Sequence, residues 1–275
     1  MLIHLVADYG PADLAFAEVQ QRLALELPEA QIVPTAVGAF DTLAAGFCVA
    51  QLALTPGPAD RIIMHNVAPR HDDRNPRRDN AGEPFCAART HDGVLVVGAH
   101  AGQCLSFLAP HADEIRRLTV PDSGSQFRSR DLLPAAVAAL ARGEDALLGE
   151  PLPPDEIPAV PEGVIAYVDG YGNLKTTVTD APAAAGQRIS VRIGDVDASA
   201  IVSDGTFAVP EGELAFAPGS SGWQHRDGRH LRFYELLLRG GSAAARFGDP
   251  KPGAPIHINN SISRHHETEQ EVRTA

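Results

Sequence analysis

The feature that most constrains this chain is a change of hydrophobic period across one proline-rich segment. Before residue 150, apolar residues recur at helical spacing between short apolar runs; beyond residue 163 they alternate with polar ones. The segment between, EPLPPDEIPAVPEG (150–163), holds five prolines. Proline removes a backbone donor and fixes φ, so a stiff linker is predicted there. The expectation is an α/β N-terminal domain with a mostly parallel sheet over 1–149 and a mainly β, barrel-like C-terminal domain over 164–258. A disordered tail rich in His, Glu and Arg is expected over 259–275.

In the first half, LIHLVA reads as a short apolar strand that ends in Asp8-Tyr9-Gly10, and residues 12–27 carry apolar groups at helical spacing. Further strands are predicted over 31–33, 61–67 and 93–98, with helices over 43–54 and 132–142. In an open α/β sheet, ligands are held by the loops at the carboxyl ends of the strands, which places Asp8 and Asp13 where chemistry usually sits. In the second half, 164–168 and 188–193 read as strands, with turns at Gly194-Asp195 and Asp204-Gly205.

Composition excludes several classes. A net charge of −12 disfavours a nucleic-acid partner, because phosphate-backbone binding is driven by clustered Lys and Arg. The one basic cluster, Arg70, Arg74, Arg77 and Arg78, is interleaved with Asp72, Asp73 and Asp79, and reads as a solvated loop. Cys48, Cys86 and Cys104 show neither CxxC nor Cys/His spacing, so no metal site or disulfide framework is expected and a reducing cytoplasm fits. No apolar run approaches the roughly 20 residues needed to cross a bilayer. The absence of GxSxG and GxGxxG argues against an α/β hydrolase and a Rossmann dehydrogenase.

Five segments in order resemble the S-adenosylmethionine (SAM) hydroxide adenosyltransferase family, which also contains the SAM-dependent fluorinases and chlorinases. ADYGPADLAF (7–16) is similar to the family's S/T-D-F-G-x-x-D-x-Y/F opening, and SQFRSRDLLPAAVAAL (125–140) to its S-T-F-H-G-R-D segment. VDGYGNLKTTV (168–178) resembles D-x-F-G-N-x-x-T-N. TFAVPEGELAFAPGSSGW (206–223) and ELLLRGGSAAARFG (235–248) resemble the two closing motifs.

The resemblance implies an adenosyl ligand, SAM first, as substrate rather than cofactor, held at a seam between the two domains of neighbouring copies in a homotrimer. Asp8 would hold the ribose diol, and Asp13 and Asp169 would face the methionine ammonium. Tyr171, Asn173 and Phe207 would bind adenine. Ser220 and Ser221 would hold a carboxylate, while Gly240, Gly241 and Ser242 would bring backbone close to the base. Structural alternatives stand beside several of these. Asp8 also reads as an N-cap or loop carboxylate, Asp13 as a residue favouring the first turn of the following helix, Asp169 as a turn residue, and Tyr171 and Phe207 as β-core.

The family's hydrolytic Asp, Arg and His are altered here. Ala68 precedes Pro69 where Asp is expected, a charged insertion follows, Arg128 replaces the His, and Ala99-His100-Ala101-Gly102 stands for P-D-N-G. About nine residues (224–232) are inserted before the last motif. The substitute groups considered are His100, His65, Asp72 and Asp73 as bases, with Arg128 and Arg78 as positive groups; His100 is the sharpest, since imidazole can act near pH 7. Ser129 stands where halogenating members use Ser, and reads equally as a helix cap. Cleavage of SAM at C5′ by water, non-catalytic binding or sensing, and transfer to a halide therefore all stay open.

Overall fold

The computed structural model describes residues 1–69 and 75–260. They form two compact units, Met1–Val160 with Trp223–Arg229, and Pro161–Gly222 with the residues from His230 onward. Each is built on one seven-stranded sheet.

The first unit contains β1 (Leu2–Ala7), α1 (Leu14–Glu26), β2 (Gln31–Ala36), α2 (Thr42–Leu54), β3 (Ile62–Asn66), β4 (Phe85–Thr90), β5 (Leu95–Ala99), β6 (Ala112–Leu118), α3 (Arg128–Asp131), α4 (Leu133–Ala141) and β7 (Leu148–Pro151). Its sheet order is β2-β1-β3-β5-β4-β6-β7. β2, β1, β3 and β5 run parallel, whereas β4, β6 and β7 join antiparallel. The mostly parallel sheet expected from the alternating pattern is therefore mixed, with parallel pairing confined to one side. The edge strand β7 ends in Pro151, where a missing donor is tolerated. The proline-rich stretch accordingly contributes the end of a strand and a 3-10 turn, Pro154–Glu156, before the second unit begins.

Local chemistry explains the helices. Asp13 caps α1 by accepting from the Ala15 N–H at 2.8 Å, and Phe16, Val19 and Leu23 seat the helix on Ile3, Leu5 and Ala7 of β1. Asp41 caps α2 through the Ala44 N–H at 2.9 Å. At the other end, the buried Arg61 guanidinium donates to the carbonyls of Leu52, Ala53, Thr55 and Pro58. It thus satisfies carbonyls that a helix end leaves open and places positive charge against the negative end of the dipole.

The second unit contains β8 (Ile165–Val168), β9 (Leu174–Thr176), β10 (Arg188–Ile193), β11 (Val196–Val202), β12 (Leu214–Gln224), β13 (His230–Leu238), α5 (Ala243–Arg246) and β14 (Ile256–Asn260). Its order is β14-β10-β11-β12-β13-β9-β8; β10 pairs antiparallel with β11 and β14, β9 antiparallel with β13 and β8, and β11 parallel with β12. Along β10, Ile189, Val191 and Ile193 point into the core beside Phe216 and Leu236, as the period of two requires. The barrel-like expectation is met only by curling: the outer strands approach through a single bridge, Val164 to Pro255, rather than a closed ladder. β14 runs to Asn260, two residues past the expected domain end; residues 261–275 lie outside the described residues.

Candidate functional site

The chain runs from β1 to β2 on one side and from β2 to β3 on the other, so a crevice opens at the carboxyl ends of β1 and β3. Open α/β sheets hold ligands at such a switch point. A cleft of about 640 Å³ lies there, lined among others by Asp8, Tyr9, Asp13, Phe40, Asn66, Ala68, Glu83, Phe127, Arg128 and Ser129. Four residues singled out by sequence, Asp8, Asp13, Arg128 and Ser129, are thus brought together within the first unit.

Each is fixed by its surroundings. Asp8 Oδ2 accepts the Phe40 N–H at 2.9 Å. Phe40 sits at φ +62° and is 46% exposed, a left-handed conformation that costs a bulky residue and gathers at functional sites. Asp13 faces the cleft and caps α1 at once. Ser129 lies inside α3 rather than capping it, and its hydroxyl shares a 2.8 Å hydrogen bond with Tyr9 Oη. Burial pushes the Tyr9 phenol up to about 12, so it stays neutral and serves as a donor or acceptor rather than a base.

Arg128 is 8% exposed and braced. Its Nη1 donates to the Glu83 carbonyl at 2.9 Å, its Nη2 to the Pro121 carbonyl at 3.1 Å, and the guanidinium lies 4.6 Å from the centre of the Phe85 ring. Burial lowers its pKa, opposed by Asp122 and Glu83. Its Nε is buried without a partner.

The candidate bases fall elsewhere. His100 is absent from the cleft lining; its Nε2 lies 3.2 Å from the Glu156 carbonyl. The reason is local, since Ala99 ends β5 at the cleft and the next residue turns to pair its N–H with Pro84 O at 2.8 Å. His65 is wholly buried in β3, and desolvation pushes its pKa down to about 4. Arg78 is exposed and does not line the cleft. Asp72 and Asp73, with Arg70 and Arg74, lie outside the described residues.

In the second unit, three motif loops meet. Asp169 organises a turn: its Oδ1 accepts the N–H groups of Tyr171 and Asn173 at 3.0 Å each, and its Oδ2 accepts Asn173 Nδ2 at 2.9 Å. Gly172, at φ +78°, lies against Ser242, where a Cβ would collide with the hydroxyl, and its carbonyl accepts the Ala244 N–H at 2.8 Å. Ser242 itself caps α5. The loop carrying Phe207 packs on Gly240, whose Cβ would meet the Glu211 side chain, and Gly212 N–H donates to Arg239 O at 2.9 Å. Gly241 follows in the same exposed turn.

Tyr171 and Phe207 are 83% and 84% exposed. The β-core alternative for both is therefore corrected: their rings face outward because the turn and the 3-10 segment that carry them leave the sheet. Ser220 and Ser221 lie within β12 rather than in a loop; Ser220 is exposed, while Ser221 is buried and donates to Glu235 Oε1 at 3.2 Å. At Gly219, just before them, a Cβ would run into the Glu235 carboxylate.

Sequence reading missed Tyr9, Phe40 and Glu83 in the cleft, and the buried pair Lys175 Nζ to Glu235 Oε1 at 2.7 Å below the Asp169 turn. Tyr9 carried a signal, as it stands where the family motif has Phe.

Comparison with protein-family models and with curated proteins gives no match. Among solved structures, the chain is similar to an uncharacterized conserved protein from Thermotoga maritima, with a TM-score of 0.73 and 21% identity, covering 93% of this chain and 99% of that one. It is also similar to a conserved hypothetical protein from Thermus thermophilus, with a TM-score of 0.64 and 22% identity, covering 93% and 98%. The likeness is one of fold. Among the described residues, no helix is long and apolar enough to cross a membrane.

Proposed function

We propose that this protein binds an adenosyl compound, SAM foremost, and cleaves it at C5′ with water to give adenosine and methionine. The observation that carries the reading is the gathering of two motifs, ADYGPAD and SQFRSRD, in one strand-end cleft, where Tyr9 and Ser129 bond across 120 positions. The exposed Tyr171 and Phe207 rings on the second unit supply the apolar faces that a purine stacks on. Displacement at a sulfonium carbon needs little help to the leaving group, because methionine departs neutral; it needs a positioned nucleophile in a cleft that restricts water.

The proposal extends to a cytoplasmic homotrimer in which a neighbouring copy supplies the aromatic face. Light scattering then gives three times the 29.1 kDa chain mass. Chromatography of the purified protein incubated with SAM is expected to show adenosine and methionine in equal amounts. No adenosine above a no-enzyme control overturns the reaction.

A second reading, binding or sensing without turnover, draws on Ala68 in place of an acid and on His100 lying outside the cleft. Calorimetry with SAM and adenosine, run beside the product assay, separates the two. Added chloride tests the third, halide transfer, through the appearance of a 5′-halo nucleoside.

A further inference from the structure

With the family-type Asp and His replaced, hydrolysis in this cleft requires another proton acceptor. The groups lining it narrow the choice. Tyr9 is a neutral phenol, Arg128 a braced cation, and Ser129 and Asn66 are not basic. Among the described residues, the carboxylates there are Asp8, Asp13 and Glu83. Asp8 accepts the N–H that holds the strained Phe40, and Asp13 caps α1.

Glu83 differs from both. Its side chain is 15% exposed and lies 3.5 Å from Arg77 Nη1. Its position is fixed from the backbone: the carbonyl accepts Arg128 Nη1, and the preceding Gly82 N–H donates to Asp122 O at 3.0 Å. A Cβ at Gly82 would come within 2.7 Å of Arg128 Nη1, so glycine is what lets the guanidinium reach that carbonyl.

We infer that Glu83, oriented by Arg77, accepts the proton of the attacking water; the inference rests on the hydrolytic reading above. As the water oxygen bonds to C5′, the C5′–S bond breaks and its electron pair returns to sulfur, leaving a neutral thioether. The water proton, made strongly acidic by that new bond, passes to the Glu83 carboxylate. A carboxylate suffices as base because the proton leaves an oxygen that is turning cationic. Arg77, 3.5 Å away, positions the carboxylate, acting through Glu83 rather than on the substrate.

The test compares wild type, Glu83→Gln and Glu83→Asp for adenosine formation across pH, with adenosine binding followed by calorimetry. Glu83→Gln is expected to lose about 100-fold or more in rate, to lose the acid-side fall of the pH profile, and to bind adenosine as wild type does. Glu83→Asp is expected to recover part of the rate. Turnover by Glu83→Gln at the wild-type rate overturns the inference and leaves the reaction standing. A wild type that binds adenosine but forms none from SAM overturns the hydrolytic reading and the inference together. Loss of adenosine binding in Glu83→Gln overturns the assignment as well, since it marks a structural role.

Discussion

Lys175→Met is expected to destabilise the second unit by about 3–5 kcal/mol, the usual cost of leaving one partner of a buried ion pair alone. Lys175 and Glu235 are 8% and 2% exposed and meet at 2.7 Å across β9 and β13. Without the ammonium, the Glu235 carboxylate keeps the Ser221 hydroxyl as its donor but is left buried without a counter-charge.

Replacing both residues together, as Lys175→Met with Glu235→Leu, is expected to recover most of the loss, because no charge is left buried. Denaturant unfolding at pH 7 checks this. A Lys175→Met midpoint equal to wild type would show that the pair contributes nothing. Asp169 lies 3.7 Å from the same ammonium, so Tyr171 and Asn173 amide exchange should quicken in the single variant.

Lys175 also shows where sequence reading stops. In a strand written Leu-Lys-Thr, a period of two sends lysine to solvent, and only Glu235, 60 positions later, reveals that this one turns inward. The Glu inside the apolar run Tyr-Glu-Leu-Leu-Leu was the signal available. By contrast, β10 was legible to the residue, since Arg188 and Arg192 alternate with Ile189, Val191 and Ile193 on a sheet with one wet face. β4 and β6 were not: Phe-Cys-Ala-Ala-Arg-Thr is buried on both faces and lacks alternation, while Ala-Asp-Glu-Ile-Arg-Arg-Leu is mostly half-buried and carries charges at four of its positions. Missing them turned a mixed sheet into a parallel one.

The cleft divides in the same way. Asp8 and Asp13 follow from a strand end and a helix start, both local properties. Phe40 does not, because no sequence signal foretells an aromatic at positive φ. Glu83 reaches the cleft by way of the long segment between β3 and β4, whose charges read as a solvated loop.

The inserted residues after β12 yield the second large effect, read through the chain's one tryptophan. Trp223 is 2% exposed, and its Nε1–H donates to His111 Nε2 at 2.9 Å. That bond requires the ring nitrogen to be unprotonated. The His225 ring lies 4.8 Å from His111, Arg226 pairs with Asp113, and His91 Nδ1 stands 3.8 Å from the same carboxylate. Burial first, and then the charges of His225 and Arg226, hold the His111 pKa below its ordinary value. A group whose folded pKa is depressed favours the folded arrangement above its unfolded pKa, about 6.5 for histidine. Its contribution is lost as pH falls below that value. Protonation would remove the acceptor from Trp223 and add positive charge beside Arg226, with Asp113 already engaged. Tryptophan emission should therefore be blue at pH 7.5 and shift red as pH falls through the depressed His111 pKa, below the ordinary histidine value, while far-UV circular dichroism stays constant. His111→Leu, which leaves the indole N–H without its acceptor at every pH, should show the shifted emission throughout and no transition. Wild-type emission that stays blue all the way down to the pH at which far-UV circular dichroism is itself lost would mean that His111 does not govern how this segment is held.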